Sequence, residues 1–100
     1  MAESMIKRLT IPKVRVETGI SGLAAFKCGD VRMLCNNSTD KITASVDETV
    51  WTLPSELCPS FTIDFVDAYA KKRFWVLTSG AIVAKDAVSN SYIRFTITYL

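Results

Sequence analysis

Apolar and polar residues alternate with a period of two along most of this chain, the pattern of strands with one buried and one wet face. The last nine residues, 92–100 (YIRFTITYL), show it most clearly. There Ile93, Phe95, Ile97 and Tyr99 alternate with Arg94, Thr96 and Thr98. A terminal strand this apolar frays or recruits other chains unless a sheet encloses it. The fold is therefore expected to close on this segment, with Ile93, Phe95, Ile97 and Tyr99 in the core.

The same period marks Val14 and Val16 against Lys13, Arg15 and Glu17, and Ile42, Ala44 and Val46 against Thr43 and Ser45. It also marks Phe61, Ile63 and Phe65 against Thr62 and Asp64. Residues 23–28 and 31–35 are apolar runs around Gly29-Asp30, a hairpin signal because glycine takes positive φ at the first turn position. Residues 50–53, 73–78 and 81–84 read as further strands, the last two joined across Ser79-Gly80. Residues 36–40, 54–59, 67–72 and 85–91 read as loops by composition. The pattern predicts about seven or eight short strands and no amphipathic helix of useful length. The connections are too short for parallel crossovers. Residues 13–100 are thus expected to form a single all-β domain, an antiparallel β-sandwich. Residues 1–12, where Pro12 withholds an amide from any central ladder, read as an arm or linker.

Composition narrows the function classes. Of the 100 residues 49% are hydrophobic and 22% charged, which suits a folded globular domain rather than disorder. The net charge of +2 is small and the basic residues are scattered, clustering only at Lys7-Arg8 and Lys71-Lys72-Arg73. No nucleic-acid partner is expected from that distribution. No apolar run approaches the roughly 18 residues of a membrane span, so no membrane insertion is expected. Residues 1–4 lack the features of a signal peptide, which points to synthesis in the cytoplasm. Cys28, Cys35 and Cys58 match no zinc spacing, and the chain has no histidine to complete a metal site. No metal or cofactor is therefore expected, and the cysteines read as small, partly buried apolar residues.

The absence of histidine rules out Ser-His-Asp and Cys-His nucleophilic arrangements. The carboxylate pairs Asp64 with Asp67 and Asp47 with Glu48 lack apolar sequence surroundings that would raise a pKa. A glycosidase pair at Asp64 and Asp67 is a minor reading, and the chain is expected not to be an enzyme. The aromatic residues offer more. Trp51, Tyr69, Trp75 and Tyr92 suit a saccharide platform, because sugars lay their C–H faces on aromatic rings; core or inter-subunit packing is the competing reading for both tryptophans. Asp64, Asp67 and Arg73 suit hydrogen bonds to sugar hydroxyls or a rim ion pair. Phe74 and Trp75 are adjacent, so they face opposite sides of one strand. One belongs to the core; the other needs cover from a loop, a neighbouring subunit or a ligand.

The second half of the chain resembles the C-terminal head domains of bacteriophage tail-fibre, baseplate and receptor-binding proteins, particularly those of phages infecting Gram-positive hosts. The likeness rests on Trp51-Thr52-Leu53-Pro54 followed by Pro59, on the hairpin Val76-Leu77-Thr78-Ser79-Gly80-Ala81-Ile82, and on YIRFTITYL. Phe26-Lys27-Cys28-Gly29-Asp30-Val31 fits the same scheme loosely, so the resemblance spans about residues 23–100. It implies a jelly-roll-like sandwich, a homotrimer, and attachment to host cell-wall saccharide or to other virion proteins. It places the chain in a virion, released from the bacterial host by lysis. The alternatives within that setting are a purely structural decoration, fibre-cap or baseplate component and a polysaccharide-degrading tail enzyme. The resemblance supplies no ligand residues of its own.

Overall fold

The computed structural model describes residues 13–100. They form ten strands and one 3-10 turn: β1 (Val14–Val16), β2 (Leu23–Cys28), β3 (Val31–Asn36), β4 (Ile42–Ala44), β5 (Thr49–Thr52), the turn at Ser55–Leu57, β6 (Ile63–Val66), β7 (Arg73–Val76), β8 (Ala81–Ala84), β9 (Val88–Ser91) and β10 (Phe95–Tyr99). All strand pairing is antiparallel. The domain is a small β-sandwich.

Its pairing is nested. β3 pairs with β10, β4 with β9, β5 with β8 and β6 with β7. Residues 31–99 thus form one long two-stranded ribbon folded back on itself, with its tip at the turn between β6 and β7. The register stays nearly in step along this ribbon, through Asn36↔Phe95, Ile42↔Ser91, Ala44↔Val88, Thr49↔Val83 and Thr52↔Ala81. Irregularities within β4–β9 and β5–β8 absorb the slippage, as bulges do. This is the pairing order of a jelly roll. One ladder is added: β7 also pairs with β8, merging two ribbon segments into the sheet β5-β8-β7-β6, a Greek-key order. The opposing sheet, β1-β2-β3-β10, joins the ribbon's open end to the β2–β3 hairpin.

The core lies between the sheets. Leu23, Ala25, Leu34, Phe95 and Tyr99 come from one side, and Phe65, Phe74, Val76, Ile82 and Ala84 from the other. Phe74, fully buried, stacks on Phe65 at 5.6 Å between centroids and meets Trp51 at 6.4 Å. Phe95 closes the cluster from β10, 4.5 Å from Phe65 and 6.2 Å from Trp51. Such tilted and offset pairs each add about 0.5–1.5 kcal/mol beyond the area they bury.

In the closing segment Ile93, Phe95 and Tyr99 are buried, Ile97 is half-buried, and Thr96 and Thr98 are exposed. The strand itself begins at Phe95, three residues later than the alternation predicts. The reason is Asn36, whose side-chain Nδ2 donates to the Ile93 carbonyl at 2.9 Å, where a ladder bond would otherwise run. At the far end the Tyr99 hydroxyl donates to the Leu57 carbonyl at 2.7 Å, and Arg32 Nε donates to the Glu56 carbonyl at 2.8 Å. The 3-10 turn thereby lids this end of the core. Burial pushes the Tyr99 phenol up to about 12; Arg32 opposes that rise and Cys58 adds to it.

Several segments depart from the sequence pattern. Residues 88–91, read as loop, form β9, because β4 supplies a partner and Val88 reaches the core while Ser89 and Asn90 face water. Phe61 lies outside β6 and is 79% exposed. There Ser60 N donates to the Leu100 carbonyl instead of extending the β6 ladder. Val46 is exposed because a turn closes early: Glu48 N donates to the Ser45 carbonyl and Ser45 N to the Glu48 carboxylate. β7 ends at Val76, not Thr78, since Leu77 N already bonds the Ala81 carbonyl. Asn36, read as loop, is the buried last residue of β3. All three cysteines are half-buried. The expected arm, residues 1–12, lies outside the described residues.

Candidate functional site

The expected site residues separate into three places. Trp51 belongs to the core, packed against Phe74 and Phe95. This is the core-packing alternative for Trp51, not the saccharide platform; the β5–β8 register shifts between Thr49 and Trp51.

Asp64, Arg73 and Trp75 share the outer face of the β5-β8-β7-β6 sheet. Asp64 stands opposite Trp75 and Val66 opposite Arg73 in the β6–β7 ladder. Arg73 Nη2 reaches Asp64 Oδ2 diagonally at 3.3 Å. Lys85 lies over the Trp75 ring, its Nζ 4.1 Å from the centroid, and also pairs with Asp47. Asp86 accepts the Arg73 backbone N–H at 2.9 Å. Arg73 pairs with Asp64 and Lys85 with Asp47 on this face, and the chain's own lysine covers the indole that faces away from the core.

The third place is the tip of the folded ribbon, where three connections meet. Asp67, read as a sugar ligand, is fully buried and organises the β6–β7 turn instead. Its Oδ2 accepts Tyr69 N at 3.0 Å and Ala70 N at 2.7 Å; its Oδ1 accepts Lys72 N at 2.7 Å. Three amides on one carboxylate satisfy a buried charge and fix the turn. Lys71 is thereby held at φ +60°, a left-handed conformation rare for lysine. Ala68 N then donates to the Arg94 carbonyl at 2.6 Å, docking this turn on the joint between β9 and β10.

The docking brings two tyrosines together. Tyr69 meets Tyr92 edge to face, with centroids 5.5 Å apart and planes at 82°. Tyr69 is 57% exposed and Tyr92 half-buried. Lys41, from the β3–β4 connection, places Nζ 5.3 Å from the Tyr92 centroid, and the Arg94 guanidinium carbon lies 5.9 Å from it. Arg94 also donates to the Asn37 side-chain oxygen.

Asn36 anchors the other side of this tip. Its amide donates to the Ile93 carbonyl, and its oxygen accepts Ser38 N at 3.3 Å. Asn36 and Asp67 are the buried polar side chains of the described residues, and both brace the connections that present Tyr69, Tyr92, Lys41 and Arg94. Gly22 supports the same region from below: its φ is +79°, and a Cβ there would stand 2.5 Å from that of Ser38.

Sequence reasoning named Tyr69 and Tyr92 but not Lys41, Arg94 or Asn37. Asn37 and Lys41 lie in the β3–β4 connection and Arg94 in the β9–β10 connection, and only the nested pairing unites them. The carboxylates of Asp64 and Asp67 do not face a common cleft: one is on the open sheet face, the other sealed beneath its turn. No group of three or more His, Cys, Asp or Glu converges among the described residues. Comparison of the chain with protein-family models, curated proteins and solved structures finds no match.

Proposed function

We propose that this chain is a non-enzymatic recognition domain, the receptor-binding head of a bacteriophage tail fibre or baseplate, acting as a homotrimer on host cell-wall saccharide. The sequence likeness over residues 23–100 supports the setting. One observation supports the site: the two buried polar side chains, Asp67 in the β6–β7 turn and Asn36 beside the β9–β10 connection, brace the two segments that carry the Tyr69–Tyr92 pair. Buried polar groups cost stability unless satisfied, and satisfied networks fix one conformation of what they hold. Here they hold an exposed aromatic edge, an aromatic face and hydrogen-bonding groups, which is what a sugar ring needs. In this reading Tyr69 and Tyr92 stack on the saccharide, and Asn37 and Arg94 bond its hydroxyls.

Binding to Gram-positive cell-wall polysaccharide by the folded protein tests the reading, alongside its mass in solution. A trimer of the 11.1 kDa chain that retains polysaccharide supports it. A trimer that binds no envelope preparation favours a second reading, a structural virion component with protein contacts only. The observation on that side is the sheet face of Trp75, where Val66 is 55% exposed beside internally paired charges. A polysaccharide-degrading role would need Asp64 and Asp67 to act together. Alanine at both positions then abolishes turnover if that role is real, and an absence of any turnover removes it.

A further inference from the structure

The ion pairs of the described residues join Arg15 with Glu17, Arg73 with Asp64 and Lys85 with Asp47. Lys41 and Arg94 are in none of them, yet both lie within 6 Å of one tyrosine ring. Arg94 finds a neutral amide oxygen at Asn37, which orients the guanidinium without cancelling its charge. Lys71 and Lys72 follow Tyr69 in the adjoining turn, whose own carboxylate, Asp67, is buried and committed to three amides. Asp40 is the exposed carboxylate nearest in sequence to Lys41, and its backbone amide is tied to Ser38 Oγ. The connections around Tyr92 thus hold cations in no ion pair beside aromatic rings, while on the sheet face Arg73 and Lys85 are paired with Asp64 and Asp47.

We propose that the Tyr92 site takes an anion-bearing saccharide, with a carboxylate or phosphate of the sugar held between Lys41 and Arg94. This rests on the saccharide reading and adds the charge. An aromatic face accepts the sugar's C–H surface, and the two cations supply charge-assisted hydrogen bonds to its acidic group. Arg94 is pre-set by Asn37 for a two-pronged contact, whereas Lys41 acts as a point charge. A neutral sugar in the same place would leave both cations without an anionic partner.

The test follows the ring signals of Tyr92 and Tyr69 by NMR in the whole folded chain. Oligogalacturonate, its methyl ester, glucose 6-phosphate and glucose serve as probes. The acidic probes are expected to shift Tyr92 and to bind about tenfold or more tighter than their neutral counterparts. Lys41→Gln, on an exposed side chain, removes that preference and leaves the fold intact; Arg94→Lys keeps part of it and Arg94→Gln does not. Raising the salt about tenfold weakens the acidic probes selectively. A preference for the phosphate over the carboxylate probe, or the reverse, identifies the acidic group. Equal binding of acidic and neutral probes at Tyr92 overturns the inference while sparing the saccharide reading. Envelope binding with no change at Tyr92 from any probe overturns it as well. Absence of binding to every probe and every envelope preparation removes both.

Discussion

Two aromatic clusters in this domain use the same kind of residue for opposite ends. Phe65, Phe74 and Phe95 fill the space between the sheets with half-buried Trp51 packed against them, and none of these rings lies over a cation among the described residues. Tyr69 and Tyr92 meet where the ribbon tip docks on the β9–β10 connection, half in water, with Lys41 and Arg94 beside Tyr92. The first cluster stabilises by excluding water. The second contributes little to stability and is instead held in place by buried polar anchors beneath it. The contrast supports placing the proposed site at the tyrosine pair rather than among the core rings.

The largest expected effects break the inner cluster. Phe95→Ala or Phe74→Ala should cost about 3–5 kcal/mol in chemical denaturation, the range for a large buried aromatic. A loss well under about 1 kcal/mol would show that the ring is not packed as described. Next comes the anchor: Asp67→Ala orphans the amides of Tyr69, Ala70 and Lys72. The cost should be about 2 kcal/mol, and the Tyr69–Tyr92 contact should disappear from ring NMR spectra. Unchanged stability and an intact contact would contradict the anchoring role.

Tyr99 gives a pH-dependent prediction at the opposite end of the core. Its phenol is held at about 12 in the folded state, mainly by burial, against 10.0 unfolded. Folding therefore binds this proton more tightly; the resulting stability is complete below pH 10 and is lost as pH rises toward 12. The loss attributable to Tyr99 should approach about 2 kcal/mol, measured as the difference between wild type and Tyr99→Phe across that window. Parallel pH profiles for the two proteins would show that Tyr99 is not the group responsible.

The smallest stability effects belong to the outer surfaces. Arg73→Ala removes a half-exposed ion pair with Asp64 and should change stability by less than about 1 kcal/mol. Tyr69→Ala should be similarly mild, about 0.5 kcal/mol. The two should diverge in binding: the Tyr69 change weakens saccharide, and the Arg73 change does not. Equal effects on binding would move the recognition surface to the sheet face.

Much of the fold was legible because period-two alternation reports burial directly. The buried face of the closing segment follows from it, whereas β2, the start of β3 and β8 show as short apolar runs bounded by turn residues. What misled were places where a local hydrogen bond replaced a ladder. The turn at Ser45–Glu48 exposes Val46, and the Ser60–Leu100 bond turns Phe61 outward. β9 was hidden because its outward residues, Ser89 and Asn90, resemble a loop, and only the partner strand makes it a strand. The site was legible in part. Tyr69 and Tyr92 stand out as aromatics in turn-rich stretches, and Asp64, Arg73 and Trp75 do share one face. Trp51 and Asp67 have other work, the one packed against the core, the other satisfied beneath its turn. Lys41, Asn37 and Arg94 carry no local signal, since their meeting depends on a ribbon whose two arms are joined residue by residue over the whole domain.

The account is tested most directly by measuring Gram-positive cell-wall polysaccharide binding by wild type and by the double variant Tyr69→Ala, Tyr92→Ala, with thermal unfolding of both. The ribbon-tip account predicts retained binding by wild type and a loss of about tenfold or more in the variant, with the unfolding temperature shifted by only a few degrees. Undiminished binding in a folded double variant would contradict it.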